Sequence, residues 1–541
     1  MNTEQQTQIS ASAASILDNI TALASDPFAG RAPGSPGEEV TVDFLHSRCL
    51  AMGLEVVCQP VPVLAVRSTP ELKIRSDRNL GRQLNQKDAA NSGEVHQNIL
   101  NCRFPEDYVA MSRHNCSSIA FQAAAEDLLF VGFGIQAPEY DWDDYKGADV
   151  TGKILVMRAG DPSRTSADGI LDESFFDGAA MTYYGRWTYK FEIASKLGAR
   201  AVFIIHDTAA AGYNYDVVKA SWAAENFNLD QAGQRVEVEG WLAKETARSL
   251  FAIADLNFTD CMELAQRSDF KPLAIPAHME ISVKNETRRF TSTNVIAKLK
   301  AQSPTSDECL IYCAHWDHFG SKVISSEGER HQEIFSGALD NASGVAVLLE
   351  VAAILKERQR RRDILFLFTT LEEYGLLGAR YYTENPLVPL AQTIAVINLD
   401  IMNPWGRTRK FVSITRGHST LDEVLEAEAL KQNRQVMADP EPEKGYFFRS
   451  DHLEFMRRGV PALFFLNPGF DYLDHDEAFA EAKRREYLHC DYHKVSDKVK
   501  PDWDLSGMAE DCRLIAEVGH RLSLEERPVW LEKSSFAKSV I

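Results

Sequence analysis

The sequence predicts an α/β fold: a mixed, mostly parallel sheet flanked by helices, interrupted by a β-rich insert. Three observations predict it. The runs ECLIYCA (308–314), DILFLFTT (363–370) and TIAVINLD (393–400) are almost wholly apolar. Strands buried on both faces, as in a parallel sheet covered by helices, have this texture. Between the first two runs, Val345, Leu348, Leu349, Ala352 and Leu355 form a helical apolar stripe, which gives the strand–helix–strand alternation of α/β proteins. The texture also changes near Asp127 and again near Ala277. A chain of 541 residues is too long for one ordinary core, and these changes divide it into 1–120, 121–270 and 271–541.

Each element follows in order. Ile9, Ile16, Leu17, Ile20 and Leu23 predict a surface amphipathic helix. Phe44, Leu45, Cys49 and Met52 predict a helix over 37–52, stopped by Gly53, and 54–63 reads as a strand. The polar stretch 76–118 carries few periodic signals and reads as connection. In the insert, DLLFVGFGI (127–135), KILVMRAG (153–160) and ARAVFIIH (199–206) read as strands, APEYDWDDY (137–145) as a loop and KFEIASKLG (190–198) as a helix. HMEISVKN (278–285) and NVIAKLKA (294–301) read as a strand pair. The last helix lies near 505–522, where Met508, Cys512, Ile515, Val518 and Leu522 repeat.

Composition excludes several classes. A formal charge of −20 disfavours nucleic-acid binding. No apolar run approaches the ~18 residues of a membrane span. MNTEQQTQIS lacks a cationic start and an apolar core, so no leader is read there. Nine cysteines without a CxxC pair favour free thiols and a reducing, cytoplasmic location, with Cys309 and Cys313 as buried thiols. The RQRRR run (358–362) reads as a solvated helix end. Tyr183, Tyr184, Trp187 and Tyr189 read as core aromatics before cleft-lining ones. No feature specifies an oligomeric state.

In open α/β sheets, ligands bind beyond the carboxyl ends of the strands. His315 and Asp317 follow the first apolar run, Glu372 and Glu373 the second, and Asp400 ends the third. Asp340 opens the helix between the first two. Taken singly, Asp340 reads as an N-cap and Glu372–Glu373 as a solvated pair. Together they converge on one edge, where carboxylates repel each other without cations. Mixed nitrogen and oxygen ligands suit zinc, with manganese or cobalt as alternatives. A second imidazole is needed for two metals, and the candidates are His418, His452, His475, His489 and His493.

HWDHFG, SGALDNASGVA, TTLEEYGLLGARYY, INLDIM, FFRSDHLEF…GVPAL and YHKVSD occur in that order, after an opening FAGRAPGSPGEE. This set resembles the two-zinc aminopeptidases related to bacterial leucyl aminopeptidase and glutamate carboxypeptidase. The likeness covers roughly 25–75 and 277–525. It implies a hydrolase that releases N-terminal residues from peptides with a free N-terminus, using two zinc ions. It implies that His315 and Asp400 bind one metal, Glu373 and His493 the other, and that Asp340 bridges them. Glu372 is then the general base, and Asp317 accepts from the second ring nitrogen of His315. YHKVSD favours His493 over His489; His331 lies in the long loop after Asp317. Arg449, Ser450, Asp451 and His452 match a motif near the cleft, although Ser450 and Asp451 also read as caps of the next helix.

The insert resembles a protease-associated domain through DVTGKILVM and GARAVFII. Its FVGFGIQAPEYDWDDY and MTYYGRWTYKFE resemble bacterial secreted members, which sets an exported location beside the cytoplasmic one. Three rival readings share the architecture: a single-zinc glutaminyl cyclase, a carboxypeptidase with a basic pocket, and a binding protein without catalysis.

Overall fold

In the computed structural model, the described residues are 11–76, 95–96, 99–165, 169–230, 235–304, 306–326, 329–466, 469–524, 527–532, 534 and 536. The chain divides into two compact units. One comprises Met1–Pro62, Thr291–Pro440 and Arg449–Ile541; the other comprises Val63–Phe290 and Glu441–Phe448. The second unit is thus wider than the 121–270 read as an insert.

The first unit is built on the apolar runs. Cys309–His315 pairs in parallel with Asp363–Thr369 on one side and Thr393–Asp400 on the other. Ala462–Leu466 extends this parallel set beside Thr393–Asp400. The end of His278–Leu299 pairs antiparallel with Asp363–Thr369, from Val295↔Phe368 to Leu299↔Ile364. Register puts His315 opposite Thr369, so the parallel strands present their last residues along one edge.

The helix Ala342–Lys356 is buried on nearly all sides, as its all-round apolar sequence requires. It packs with the strands, Ala13–Leu23 and Ser506–Leu522 in one core. Full burial of each Val, Leu or Ile there contributes about 1.5–3 kcal/mol. The first helix is amphipathic, as its pattern implies: Ile16, Ile20 and Leu23 are buried and Leu17 is exposed, while Ile9 lies outside the described residues. Ser35 caps the helix Pro36–Ala51, accepting from Gly37 N at 3.2 Å. Gly53, at φ 79°, ends it. The closing helix crosses the sheet closely at Gly519, where an added Cβ would stand 1.6 Å from Tyr312 Oη. That hydroxyl donates to Ile515 O at 2.9 Å.

Several strand readings differ from the structure, beginning with 54–63, where the strand runs over Glu55–Arg75. The stretch 278–301 is one strand, His278–Leu299, without a turn at 286–293. Its middle is exposed and polar, so no apolar alternation marks it as strand. The polar stretch 76–118 contains the short strands Val95–His96, Ile99–Asn101 and Tyr108–Met111.

The second unit has a six-stranded sheet in the order Leu273–Ala274, Leu128–Phe130, Ile154–Arg158, Ala201–Ile205, Val238–Leu242, Tyr108–Met111. The inner pairings are parallel and the two edge pairings antiparallel. It is also richer in helix than the sequence signalled. Beside Trp187–Lys196, it carries Tyr215–Trp222, Lys244–Ile253 and Phe258–Leu264. The stripe Ala247, Leu250, Phe251 that buries Lys244–Ile253 is short, and short stripes are weak signals. Tyr189 packs edge-on with Tyr183 and with Tyr184, and Trp187 meets Trp222. In the first unit, Arg360 of the RQRRR run is buried rather than solvated. It donates to Leu355 O and Lys300 O at 2.9 Å and so satisfies carbonyls at a helix end.

No helix among the described residues is long and apolar enough to cross a membrane. Cys309 and Cys313 are buried free thiols.

Candidate metal centre

Strand ends and loop starts bring seven predicted residues together in the first unit. His315 closes its strand and Asp400 closes the neighbouring one. Glu372 and Glu373 follow Asp363–Thr369, the strand between His278–Leu299 and Cys309–His315. Asp340 precedes Asn341, whose side chain caps the buried helix by accepting from Gly344 N at 3.0 Å. The same Asn341 donates to Leu399 O at 2.9 Å, which ties the helix start to the Asp400 strand.

Asp340 is the hinge of the arrangement. Its Oδ1 stands 3.4 Å from His315 Nε2, and its Oδ2 stands 3.2 Å from His493 Nε2. His315 Nε2 is also 3.4 Å from Asp400 Oδ1. His493 Nε2 is 3.2 Å from Glu373 Oε2. Two atoms bound about 2.0–2.1 Å from a tetrahedral zinc stand about 3.3 Å apart. The spacings match that edge twice, with Asp340 shared. His315 Nε2 and Asp400 Oδ1 are buried and lack hydrogen-bond partners, an arrangement that costs free energy unless a cation lies between them. The donor set therefore fits zinc.

Electrostatics agree. Burial alone would strip His315 of its proton, but Glu372 and Asp400 outweigh it and push its pKa well up. Burial pushes Glu372 well above the usual carboxyl range; His315 opposes this, while Asp400, Glu373 and Asp451 add to it. Carboxylates at such close quarters repel one another, and a bound cation relieves that repulsion.

Asp317 differs from its expected role. His315 Nδ1 bonds the Asp317 backbone oxygen at 3.2 Å, whereas the Asp317 carboxylate is 3.8 Å away. That carboxylate instead accepts from Glu372 N at 3.1 Å. A backbone carbonyl can fix the His315 tautomer as well as a carboxylate does.

The other candidate histidines are placed elsewhere. His489 is exposed, His331 pairs with Glu333 in an exposed hairpin, and His475 stacks on Phe479. His452 is buried against Phe464, and His418 bonds Ser534. His493 is held by Tyr492 stacked at 3.7 Å and by Phe319 at 4.7 Å. With a side chain 33% exposed, it marks the open side of the centre.

Five residues near the centre have supporting contacts that the sequence did not assign. His318 is buried and bonds Glu373 Oε1 through Nδ1 at 2.6 Å. Asp497 accepts from the backbone amides of Leu339 and Asp340, both at 3.0 Å. Arg31, wholly buried, donates to Trp316 O, Leu23 O, Ser336 O and Gly337 O at 2.6–2.9 Å. Burial lowers its pKa to about 10, against the pull of Asp497, Asp340, Asp317 and Glu373. Gly337 is required there, because an added Cβ would meet Asp340 O at 2.3 Å and Arg31 Nη2 at 2.8 Å. Ser450 donates to Asp400 Oδ2 at 2.9 Å. Asp451 accepts from Thr369 Oγ1. Neither side chain caps the following helix. The HWDHFG, FAGRAP, RSDH and YHKVSD motifs contain them all, but a supporting role leaves no spacing signature.

Residues 294–515 match the profile of Peptidase family M28. A probable zinc metalloprotease of Pyrenophora teres f. teres (strain 0-1) is 36% identical over 110 residues, covering 20% of this chain and 22% of that protein. Aminopeptidase NAALADL1 of Mus musculus is 32% identical over 132 residues, covering 23% and 16%. The chain thus spans about a fifth of the length of these relatives. The solved aminopeptidase from Aneurinibacillus sp. strain AM-1 shares the fold, with a TM-score of 0.52, 18% identity and 96% of each chain covered. The chain carries, over residues 294–515, a Peptidase family M28 domain.

Proposed function

We propose that this chain is a two-zinc exopeptidase that releases N-terminal residues from peptides. One observation carries the reading: the two oxygens of Asp340 face two separate imidazole–carboxylate sets, at 3.4 and 3.2 Å. His315, Asp400 and Asp340 would hold one ion, and His493, Glu373 and Asp340 the other. The bound pair supplies a water of near-neutral pKa and a Lewis acid for the scissile carbonyl.

The chain's own residues do the rest. Glu372 is mostly buried and shares a ligand-capable group with His315 and Asp400; its Oε2 lies 3.8 Å from His315 Nε2, farther than the 3.4 Å of Asp340 and Asp400, and we read it as the base rather than a ligand. It accepts a proton from the attacking water and returns it to the leaving amine. The Asp317 carboxylate, through the Glu372 amide, holds that backbone in place. The acidic surroundings favour a substrate ammonium, which selects free N-termini. The names of the relatives, a zinc metalloprotease and an aminopeptidase, support this reading. A single-zinc cyclase is disfavoured because both donor sets are complete.

The test is hydrolysis of a panel of aminoacyl chromogenic substrates, free and N-acetylated, with and without chelator. Chelator-sensitive release from free substrates alone is the expected result. Equal release from acetylated substrates, or activity indifferent to chelator, contradicts the proposal. We further read residues 121–270 as a protease-associated domain that restricts entry to short peptides. Equal length preference in the full chain and in a chain lacking these residues contradicts it.

A further inference from the structure

His318 and Ser450 each hold the rear oxygen of one ligand carboxylate. Glu373 faces His493 with Oε2 at 3.2 Å and meets His318 Nδ1 with Oε1 at 2.6 Å. Asp400 faces His315 with Oδ1 at 3.4 Å and accepts from Ser450 Oγ with Oδ2 at 2.9 Å. Asn398, two residues earlier on the Asp400 strand, donates to Ser450 Oγ at 2.8 Å. That bond occupies an acceptor site of the hydroxyl and leaves its proton for Asp400. All three supports are essentially solvent-free: His318 is 0% exposed, Ser450 1% and Asn398 1%.

His318 also falls in a ligand-capable group with Asp340 and Glu373, and its distance to Glu373 argues for support over ligation. Two atoms on one tetrahedral ion stand about 3.3 Å apart. His318 and Glu373 are at 2.6 Å, the length of a charge-assisted hydrogen bond. An ionised carboxylate only accepts, so Nδ1 of His318 carries the proton. Each single-metal carboxylate is thus turned toward its ion by its own donor, and the two donors share no partner.

We propose that the two metal positions are tuned independently. His318 is the positioning residue for the Glu373–His493 position, and Ser450 is that for the His315–Asp400 position. The inference rests on the two-metal reading above. A carboxylate that loses its rear donor must be ordered by the metal itself, which typically lowers affinity about 10- to 100-fold.

The experiment is competition titration of the metal-free full chain with zinc against a chromogenic chelator. The wild type is expected to take two ions. His318→Leu should weaken one of them about 10- to 100-fold, and His318→Asn, whose amide N–H can replace Nδ1–H, should restore most of the loss. In a His493→Ala background, where only the His315–Asp400 position remains, Ser450→Ala should weaken the ion and His318→Leu should not. His318→Ala replaces His318→Leu should the latter fail to fold. Equal effects of His318→Leu and Ser450→Ala in the His493→Ala background overturn the proposal, as do wild-type affinities in the single variants. A wild type that takes fewer than two ions overturns the two-metal reading, and this inference with it.

Discussion

Asp340 Oδ1 and His315 Nε2 stand 3.4 Å apart without a hydrogen bond, and the facing oxygen of Asp340 repeats that spacing toward His493. The carboxylate is held in this pose by its own backbone amide, which donates to Asp497 at 3.0 Å. Asp340→Ala should therefore cost both ions, not one. Metal content after dialysis against micromolar zinc should fall from two per chain toward zero. Retention of one tight ion would show that Asp340 serves a single position.

Glu372 should separate chemistry from binding. Glu372→Gln keeps the shape and removes the base, so both ions should remain while kcat falls by about 100-fold or more. Elemental analysis beside steady-state kinetics checks this. Metal loss in the variant would make Glu372 a ligand.

Asn341 ties the site to the fold. Its side chain caps the buried helix at Gly344 N and donates to Leu399 O. Asn341→Ala removes a cap worth about 1 kcal/mol and a buried hydrogen bond worth about another. Denaturant unfolding of the metal-free chain should show a loss of about 2 kcal/mol. A change below 0.5 kcal/mol, which is within the range of ordinary surface substitutions, would contradict this view of the helix start.

Lys190 gives the second unit a pH dependence. It is fully buried, and its Nζ donates to Gly160 O at 2.9 Å. Burial lowers its pKa to about 7, with Asp161 and Asp144 opposing and Arg158 adding to the fall. Unfolded, the lysine keeps its proton to about pH 10.4. Between these values the unfolded chain binds the extra proton, so this group's contribution to stability rises with pH, by at most about 1.4 kcal/mol per unit. Below about pH 7 its burial cost is fully present. Asp144 titrates the other way: burial raises it to about 6, so its contribution falls as pH rises through about 4 to 6. Thermal melts from pH 7 to 9 should therefore rise more in the wild type than in Lys190→Met. Parallel profiles would place the Lys190 charge outside the folding equilibrium.

Much of this was legible in the sequence, for a physical reason. Strands such as Cys309–His315 and Asp363–Thr369 are buried on both faces, so they must be apolar throughout, and a charged residue at their end stands out. His315, Glu372, Glu373 and Asp400 stand out in this way. His278–Leu299 did not read as one strand, because its exposed centre has no face to bury. His318, Ser450 and Asp497 were illegible as supports because they act through single hydrogen bonds. Such bonds depend on tertiary placement and impose no period. Ser450 and Asp451 followed by a short helix looked like caps, and only their contacts with Asp400 and Thr369 show otherwise.

The central claim is that Asp340 joins two zinc positions in one peptidase centre. Calorimetric titration of the metal-free chain with zinc, read beside release of a free N-terminal residue at each point, tests it most directly. The account expects two equivalents to bind and activity to reach its maximum only as the second position fills. Saturation at one equivalent, or full activity before any zinc is added, would contradict it.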